Sequence, residues 1–463
     1  MRKLFFFCLL FISLFVIAGC KKNDQNSNNQ NVNQEIEIID FDKDAKVEIT
    51  FWHSVGQTSY NYLQDLIDSF NVYFPNIKVN AISHGDMDTL FNNINNVTDN
   101  SNLPTIAQTG ISQIPVYMKN DIIVNLDPYL NSTKPVEYES GEKDIVGITQ
   151  EEQNKLIPGF FNEGRTYNLE GTLYSLPFQK STEVLYYNKT LFDKYGWNAP
   201  ITWDDVINIS KDYVLTSEYK NAYAVDKNIS AFSCDSKSNL FINLTKQWES
   251  EYIVFDQLGS VKILYNNDLS KEGLSFYQEQ FNKGYFATPD KFSVDYASYA
   301  FLNKQVIMAI GSNAGLGYYL PKDKSFEVGV STYPQASINN PQVIQQGTNI
   351  SLFRTDNSQE ALAGWLFMKY LMSYEAVMMM SKTTSFYPIR KDVLESNEYK
   401  EYFSKDSTRQ ILYNACIKQQ DWFFTYASFD KTLDIHDSVS KIVYEILYDN
   451  KSIDKAYNDS LTD

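Results

Sequence analysis

The sequence predicts an α/β protein built of two lobes. Residues 47–82 have the pattern of strand, helix and strand in succession, which is the unit from which parallel sheets are built. The chain has 463 residues, of which 43% are hydrophobic and 15% aromatic. A chain of that size usually divides into more than one hydrophobic core. We therefore expect two α/β lobes.

The first segment of the chain has the pattern of an export signal. Arg2 and Lys3 precede the uncharged run 4–17, which is rich in Phe and Leu and short for a membrane span. The run leads into Ile17-Ala18-Gly19-Cys20, which resembles the lipobox of bacterial lipoproteins. This resemblance implies cleavage before Cys20 and a lipid on its thiol. An uncleaved anchor or an ordinary cleaved signal is the alternative.

A polar stretch follows the cysteine. It contains Lys21, Lys22 and Asp24 and then a run of Asn, Gln and Ser without an aromatic residue up to Gln34. Such a stretch buries too little apolar surface to fold. We expect a signal peptide over residues 1–19 and a disordered tether over residues 20–45, with a reach of roughly 25–30 Å as a flexible coil.

Charge and cysteine content narrow the function classes. The formal net charge is −17, so a phosphate backbone would be repelled and nucleic acid is not an expected partner. Two of the four cysteines lie in the export segment, which leaves Cys234 and Cys416. Their spacing leaves open whether they pair or are two buried thiols. Beyond the signal, the sequence has no stretch apolar enough to predict a membrane span.

The first strand–helix–strand unit places candidate ligand contacts. Val47–Trp52 alternates apolar and polar residues as a strand does, and Pro75 ends the helix before a second strand over Ile77–Ile82. The apolar face of that helix consists of Leu63, Leu66, Ile67, Phe70 and Phe74. Parallel sheets bind ligands outside the carboxyl ends of their strands, so Trp52, His53 and Ser54 are candidates.

The most informative motif lies in the middle of the chain. Residues 171–189 read GTLYSLPFQKSTEVLYYNK, and Thr202-Trp-Asp-Asp205 follows. The stretch resembles the extracellular solute-binding proteins of ABC importers, in the group that takes sugars and glycerol phosphates. The resemblance implies a first crossing between lobes and a strand that ends in Tyr-Asn-Lys. Thr202 is also suited to cap a helix whose first turn contains Asp204 and Asp205.

Three further stretches extend the resemblance over nearly all of the body. Phe301–Ser312 matches a helix, a buried strand and small residues, and Gln346–Asn349 matches the third crossing. Thr384–Arg390 matches an aromatic-Pro turn after a long helix, which we predict over Glu360–Met380. The resemblance implies a two-lobed periplasmic-binding-protein-like fold of the class II type, with crossing strands as the hinge.

We assign residues 46–175 with 312–348 to the first lobe and residues 176–311 with 349–463 to the second. Two such lobes close around a ligand that contacts both of them. A sugar requires short polar side chains for its hydroxyls and aromatic planes for its C–H faces. The predicted ligand contacts are Trp52, His53, Ser54, Gly85, Ser181, Thr182, Ser312, Gly347, Thr348, Phe386, Tyr387 and Arg390.

The resemblance implies a function for the whole chain. We expect a monomeric substrate-binding lipoprotein of an ABC transporter, anchored by Cys20 to the extracytoplasmic face of the cell membrane. It would capture a mono- or oligosaccharide, or a polyol, and deliver it to the membrane permease subunits. We expect neither a cofactor nor a bound metal ion, and no catalytic residue.

Two alternatives remain open. The first is the same role with glycerol 3-phosphate or a glycerophosphodiester, for which Lys180 and Arg390 are candidate cations. Against it, Ser83–Asp86 lacks the Tyr expected before the Gly, and Lys431 lies where an Arg would grip a phosphate. The second is a membrane-anchored extracellular carbohydrate hydrolase, because 57 acidic residues allow a catalytic carboxylate pair. The motifs of serine esterases, P-loop enzymes and zinc proteases are absent from the sequence.

Overall fold

A computed structural model describes residues 37–56 and 60–460 of the chain. The predicted signal peptide, the lipobox at Cys20 and most of the tether lie outside the described residues. From residue 38 onward the described body forms one compact unit. None of the helices in this described part combines the length and apolarity that a membrane span requires.

The described body alternates strands and helices. The strands are β1 (Val47–His53), β2 (Ile77–Ser83), β3 (Ile106–Thr109), β4 (Pro135–Glu137), β5 (Lys143–Ile145), β6 (Leu176–Asn188), β7 (Phe232–Cys234), β8 (Ile253–Phe255), β9 (Val261–Ile263), β10 (Met308–Ser312), β11 (Val328–Ser331), β12 (Val343–Leu352) and β13 (Phe423–Phe424). The helices are α1 (Tyr60–Tyr73), α2 (Met87–Asn95), α3 (Ile114–Lys119), α4 (Asp127–Leu130), α5 (Gln150–Lys155), α6 (Pro158–Glu163), α7 (Lys189–Tyr195), α8 (Trp203–Tyr213), α9 (Ser217–Val225), α10 (Lys237–Gln247), α11 (Asp268–Asn282), α12 (Ala297–Leu302), α13 (Leu316–Tyr319), α14 (Ser358–Leu371), α15 (Tyr374–Thr383), α16 (Lys391–Glu395), α17 (Asn397–Phe403), α18 (Ser407–Lys418), α19 (Thr432–Leu447) and α20 (Ile453–Asp459).

The central sheet has two halves joined by two long strands. Its order is β2-β1-β3-β12-β6-β10-β7, with β11 beside β6 and β13 beside β12. We call β1, β2 and β3 the first half and β7, β10 and β11 the second half. The strands β6 and β12 are antiparallel to each other and together join the two halves. β12 also pairs with β3 of the first half, and β6 also pairs with β10 and β11 of the second half. They are the crossing strands.

Separate hydrophobic cores lie on the two sides of the crossing. In the first half, Leu90, Ile114 and Tyr117 pack with Phe353. In the second half, a larger cluster surrounds Trp203, whose indole Nε1 donates to Gln247 Oε1 at 2.9 Å. Separate cores are what a two-lobed protein requires, since each lobe must hold its own shape while the strands between them bend.

Local predictions are largely confirmed. The first unit forms β1, α1 and β2, with β1 and β2 parallel. The hydroxyl of Thr202 accepts from the Asp205 amide at 3.1 Å while the Asp205 carboxylate accepts from the Thr202 amide at 2.9 Å, a complete capping box for α8. Cys234 and Cys416 are both buried free thiols. This answers the question that their spacing left open.

The predicted long helix over residues 360–380 is two helices instead. Helix α14 ends at Leu371, and Ser373 begins α15 by accepting the amide hydrogen of Ala376 at 3.2 Å. A Ser that caps a following helix competes with continuation of the preceding one, which explains the break. The apolar pattern continues across it, so periodicity alone predicted a single helix. Four methionines of this region are buried in the core as ordinary packing residues, namely Met368, Met372, Met378 and Met380, and Met379 is half-buried.

The packing of two segments differs from the predicted distribution between lobes. Strand β11, within 312–348, pairs with residues 185–188 of β6 in the second half. Helices α14 and α15, within 349–463, contact β1 and α1 of the first half. The reason is the direction of β12, which carries the chain from the second half into the first. The lobe boundaries themselves stay a prediction.

Gly347 lies where the pairing of the crossing strands shifts register. Its φ is +94°, and an added Cβ would lie 2.0 Å from the carbonyl oxygen of Gln179. Gly347→Ala should therefore lower the free energy of unfolding in urea by roughly 2 kcal/mol or more. In the matched variant Gly317→Ala, an added Cβ would have no neighbour within 4 Å, and a change below about 1 kcal/mol is expected. Equal stability of the two variants would contradict this account of the hinge.

Candidate ligand-binding site

The carboxyl ends of β1 and β2 form one edge of the site. The strands are parallel and in register, so Trp52 and His53 at the end of β1 lie beside Ile82 and Ser83. The half-buried indole of Trp52 lies over the imidazole of His84, with 4.2 Å between ring centroids and 32° between the planes. The pair places two aromatic rings together at the carboxyl ends of β1 and β2.

Gln108 joins this edge to the crossing strands. Its side-chain oxygen accepts from the Ser54 amide at 2.9 Å and from the Ser54 hydroxyl at 3.1 Å. Its side-chain nitrogen donates to Thr348 Oγ1 at 2.7 Å and to Gln179 Oε1 at 2.8 Å. Two of the predicted contacts, Ser54 and Thr348, are therefore brought together by a buried amide that sequence reasoning did not select.

His53 lies beneath this network rather than in it. The imidazole is fully buried, and its Nδ1 accepts from the Val55 amide at 3.1 Å. Burial lowers the pKa of His53 to about 4, with a smaller contribution from His84. The His53 side chain is thus neutral at physiological pH, and its hydrogen bond to Val55 supports the end of β1 from the buried side.

Ser181 and Thr182 lie at the middle of the crossing. Both are buried, and they face Gln346 and Gln345 of β12 in the pairing register. The Thr182 amide donates to Asn313 Oδ1 at 2.7 Å, and its hydroxyl donates to the Ile344 carbonyl at 3.1 Å. The polar groups of Thr182 are occupied by the fold.

The second half contributes a buried carboxyl group. Glu183 accepts from Asn239 Nδ2 at 3.1 Å, from Asn243 Nδ2 at 2.8 Å and from Gln346 Nε2 at 3.4 Å. Desolvation raises the pKa of Glu183 to about 8, helped by the charge of Asp235 and opposed by the amide donors. The carboxyl group is 2% exposed, so it touches the cleft only through these amides.

Asp235 forms a second acidic position at the end of β7. Its carboxylate accepts from the Ala297 amide at 2.8 Å and from the Tyr319 hydroxyl at 3.0 Å. Burial raises its pKa to about 6. Gly311 makes this arrangement sterically allowed, because a Cβ there would lie 2.2 Å from the Tyr319 oxygen. The predicted contact Ser312 follows, and its hydroxyl accepts from the Ala314 amide at 3.2 Å.

Polar contacts join the two sides outside the crossing strands. Ser428, in the segment before α19, donates its hydroxyl hydrogen to the Ile111 carbonyl at 3.0 Å. Lys119 of α3 and Asp430 form an ion pair at 2.7 Å between N and O. These few contacts are hydrophilic, as expected of surfaces that separate when a cleft opens.

Four predicted contacts lie outside this constellation. Tyr387 is 1% exposed and donates to the Cys416 carbonyl at 3.0 Å, so it is a core residue. Arg390 is 4% exposed, because its guanidinium is held by Asp392 at 2.7 Å and Glu152 at 2.9 Å. Phe386 is half-buried in the turn after α15, and Gly85 is exposed in the loop before α2.

Sequence reasoning missed Gln108, Glu183, Asp235 and Gln346. Asp235 follows a buried strand directly, as Ser54 follows β1, so the same strand-end rule would have selected it. Glu183 interrupts a buried strand with a carboxyl group, which is itself a signal, since isolated buried acids require partners. Gln108 gave little signal, because β3 has only four residues.

The family model for bacterial extracellular solute-binding proteins matches residues 65–404 of the chain. Among the relatives, the sn-glycerol-3-phosphate-binding periplasmic protein UgpB of Shigella flexneri is 23% identical over 388 residues, which are 80% of this chain and 81% of the relative. The Multiple sugar-binding protein of Streptococcus mutans is 22% identical over 227 residues, 48% of this chain and 52% of the relative.

Solved structures have the same fold. UgpB from Mycobacterium tuberculosis in complex with glycerophosphocholine superposes with a TM-score of 0.68 at 16% identity, covering 90% of this chain and 96% of the other. The sugar-binding protein MalE from Xanthomonas citri superposes with a TM-score of 0.69 at 16% identity, covering 89% and 95%.

The fold is that of a two-lobed periplasmic-binding-protein-like molecule of the class II type, with crossing strands as the hinge. The crossing, the strand ends and the polar contacts between the halves define a protein that holds a ligand between lobes. The family-model match over residues 65–404 identifies the particular family. The chain belongs to the family of bacterial extracellular solute-binding proteins.

The raised pKa of Glu183 predicts a pH dependence of stability. The folded state holds the Glu183 proton more tightly than the unfolded chain, whose Glu pKa is about 4.3. This stabilisation is present below that value and is lost as the pH rises through about 8. Between pH 6.5 and 8.5, the free energy of unfolding of Glu183→Gln should therefore fall less than that of the wild type. The control Glu445→Gln should keep the wild-type slope, whereas a wild-type slope in Glu183→Gln would contradict the burial account.

Proposed function

We propose that this chain is the substrate-binding component of an ABC importer and that its ligand is a neutral mono- or oligosaccharide. One observation carries the proposal. Amides and hydroxyls lie along the crossing, where Gln108 donates to Thr348 and Gln346 donates to Glu183, and Trp52 supplies an aromatic plane at the end of β1. Short polar groups beside an aromatic plane suit the hydroxyls and C–H faces of a sugar.

The charges at the crossing favour a neutral ligand over a phosphate ester. The candidate cation Lys180 is 0% exposed and pairs with Glu163 at 2.5 Å between N and O, and Arg390 is held by two carboxylates. Of the acidic groups, Glu183 lies in β6 and Asp235 follows β7, and neither offers a positive charge. A phosphate would need a positive charge or free backbone N–H donors. The names of the relatives include sugars and sn-glycerol 3-phosphate, so both ligand classes belong in the test.

Export and anchoring complete the proposal. The lipobox at Cys20 supports a lipid anchor on the extracytoplasmic face of the cell membrane, and the tether keeps the body within reach of permease subunits. The body would act as a monomer and would bind its ligand without chemical change; the names of the relatives describe binding proteins. Incubation of the body with oligosaccharides should shift its melting temperature without product formation, and turnover would identify a hydrolase instead.

Trp52→Ala should weaken sugar binding about tenfold or more, because it removes the stacking surface. A loss of about 1.4 kcal/mol of binding free energy corresponds to a factor of ten in the dissociation constant. The dissociation constant for whichever of maltose, maltotriose or arabinotriose binds can be measured by isothermal titration calorimetry. Trp197→Ala is the matched control, since Trp197 stacks on Tyr195 beyond the crossing. Equal losses in both variants would remove Trp52 from the site.

Cys20→Ser should leave ligand affinity unchanged and should be released or left unprocessed, because cleavage before residue 20 and lipidation both require the thiol. Cell fractionation and immunoblotting of the wild type and the variant measure this directly. Lys21→Ser, in the adjacent position, should remain with the membrane. Wild type that retains the mass of the uncleaved precursor would show instead that the first segment is an uncleaved anchor.

A further inference from the structure

Glu183 lies at the centre of a cluster of carboxamides. Asn239 and Asn243 donate to it from α10, at 3.1 and 2.8 Å, and Gln346 donates from β12 at 3.4 Å. The cluster therefore joins a helix of the second half to both crossing strands. Within the described residues, every hydrogen bond to the carboxyl group comes from a side-chain nitrogen. Above its pKa of about 8, Glu183 is ionised and can only accept, so in that form it determines which end of each amide faces it.

Asn243 shows this orientation independently. While its nitrogen donates to Glu183, its oxygen accepts from the Ile344 amide at 2.8 Å. A reversed amide would place N–H against N–H at Ile344 and oxygen against oxygen at Glu183. Both ends of Asn243 are thus specified, and it is 0% exposed. Asn243 is a structural member of the cluster.

Asn239 and Gln346 differ from Asn243 in one respect. Both are half-buried, and their nitrogens face Glu183. Because an amide is planar, their oxygens face away from Glu183. Within residues 37–56 and 60–460, no protein hydrogen bond reaches either oxygen. Asn239 lies in α10, shortly after β7, and Gln346 lies one residue before the hinge glycine. Both oxygens are therefore carried by residues that contact Glu183 of the crossing strand β6.

We propose that Glu183 is a positioning residue that turns the side-chain oxygens of Asn239 and Gln346 toward the ligand, so that this part of the site accepts hydrogen bonds and selects ligands rich in hydroxyl donors. The inference rests on the proposed function and deepens it. A sugar hydroxyl can donate to such an oxygen. A fully ionised phosphate has only acceptors, and the nearby Asp235 adds like charge.

The test is a double-mutant cycle, measured at pH 9 so that Glu183 is ionised. The variants are Glu183→Gln, the pair Asn239→Leu with Gln346→Leu, and all three together. The probes are maltose, maltotriose, arabinotriose and glycerol 3-phosphate. In Glu183→Gln, an amide nitrogen faces the cluster, so at least one neighbouring amide must turn. We expect about tenfold weaker sugar binding, which corresponds to one lost hydrogen bond.

The cycle separates positioning from packing. In the double-leucine background, Glu183→Gln should change the dissociation constant less than twofold, because the amides through which it acts are gone. The same tenfold loss in that background, or no loss in the wild-type background, would overturn the inference. Tighter binding of glycerol 3-phosphate than of any sugar by the wild type would also overturn it. Glu445→Gln is the control for removal of a carboxylate elsewhere in the second half.

A ligand-independent measurement covers failure of the proposed function. If the wild type binds none of the probes, the choice of ligand class is wrong, but the orientation can still be tested. The side-chain NH₂ groups of Asn239 and Gln346, assigned in NMR spectra by their loss in the leucine variants, should be slow to exchange in the wild type. They should exchange faster in Glu183→Gln. Equal exchange rates in the two proteins would overturn the positioning role. Thermal melting of each variant verifies that it is folded.

Discussion

The pairing of β6 with β12 is the interaction on which the rest of the structure depends. All thirteen residues of β6 are buried, and the strand passes from the first half to the second without a break. At the middle of the pair, Lys180 is fully buried against Glu163, which also accepts from Gln345 at 2.9 Å. A buried ion pair is costly to break, since removal of one partner typically destabilises by about 3–5 kcal/mol.

This charged network surrounds the one place where the crossing departs from regular pairing. Gln345 precedes the register shift and Asn349 follows it, and both bond to the Lys180–Glu163 pair. Gly347 lies between them in a left-handed conformation that an L side chain rarely adopts. The shift re-aims Thr348 so that its hydroxyl meets Gln108. The hinge and the binding site are therefore built from the same few residues.

The site divides its polar groups between support and contact. Thr182, His53 and Asn243 are buried, and their hydrogen bonds hold the strand ends in place. Half-buried groups such as Trp52 and Gln346 are the proposed contacts. A buried network with matched donors and acceptors is rigid, which reduces the entropy that ligand binding must overcome.

The sequence by itself determined the local elements and the family. The β1-α1-β2 unit, the Thr202 cap and the strand that ends in Tyr-Asn-Lys follow from periodicity, capping and motif, which are properties of neighbouring residues. Only the tertiary structure decided which half each later segment joins, because that depends on the direction in which β12 crosses. It also decided that Arg390 and Tyr387 are buried while Gln108 and Glu183 hold hydrogen-bond networks at the crossing strands. Burial and hydrogen-bond partners depend on residues that are distant in sequence. Gln108, for example, bonds to both Ser54 and Thr348, and no local sequence pattern predicts those contacts.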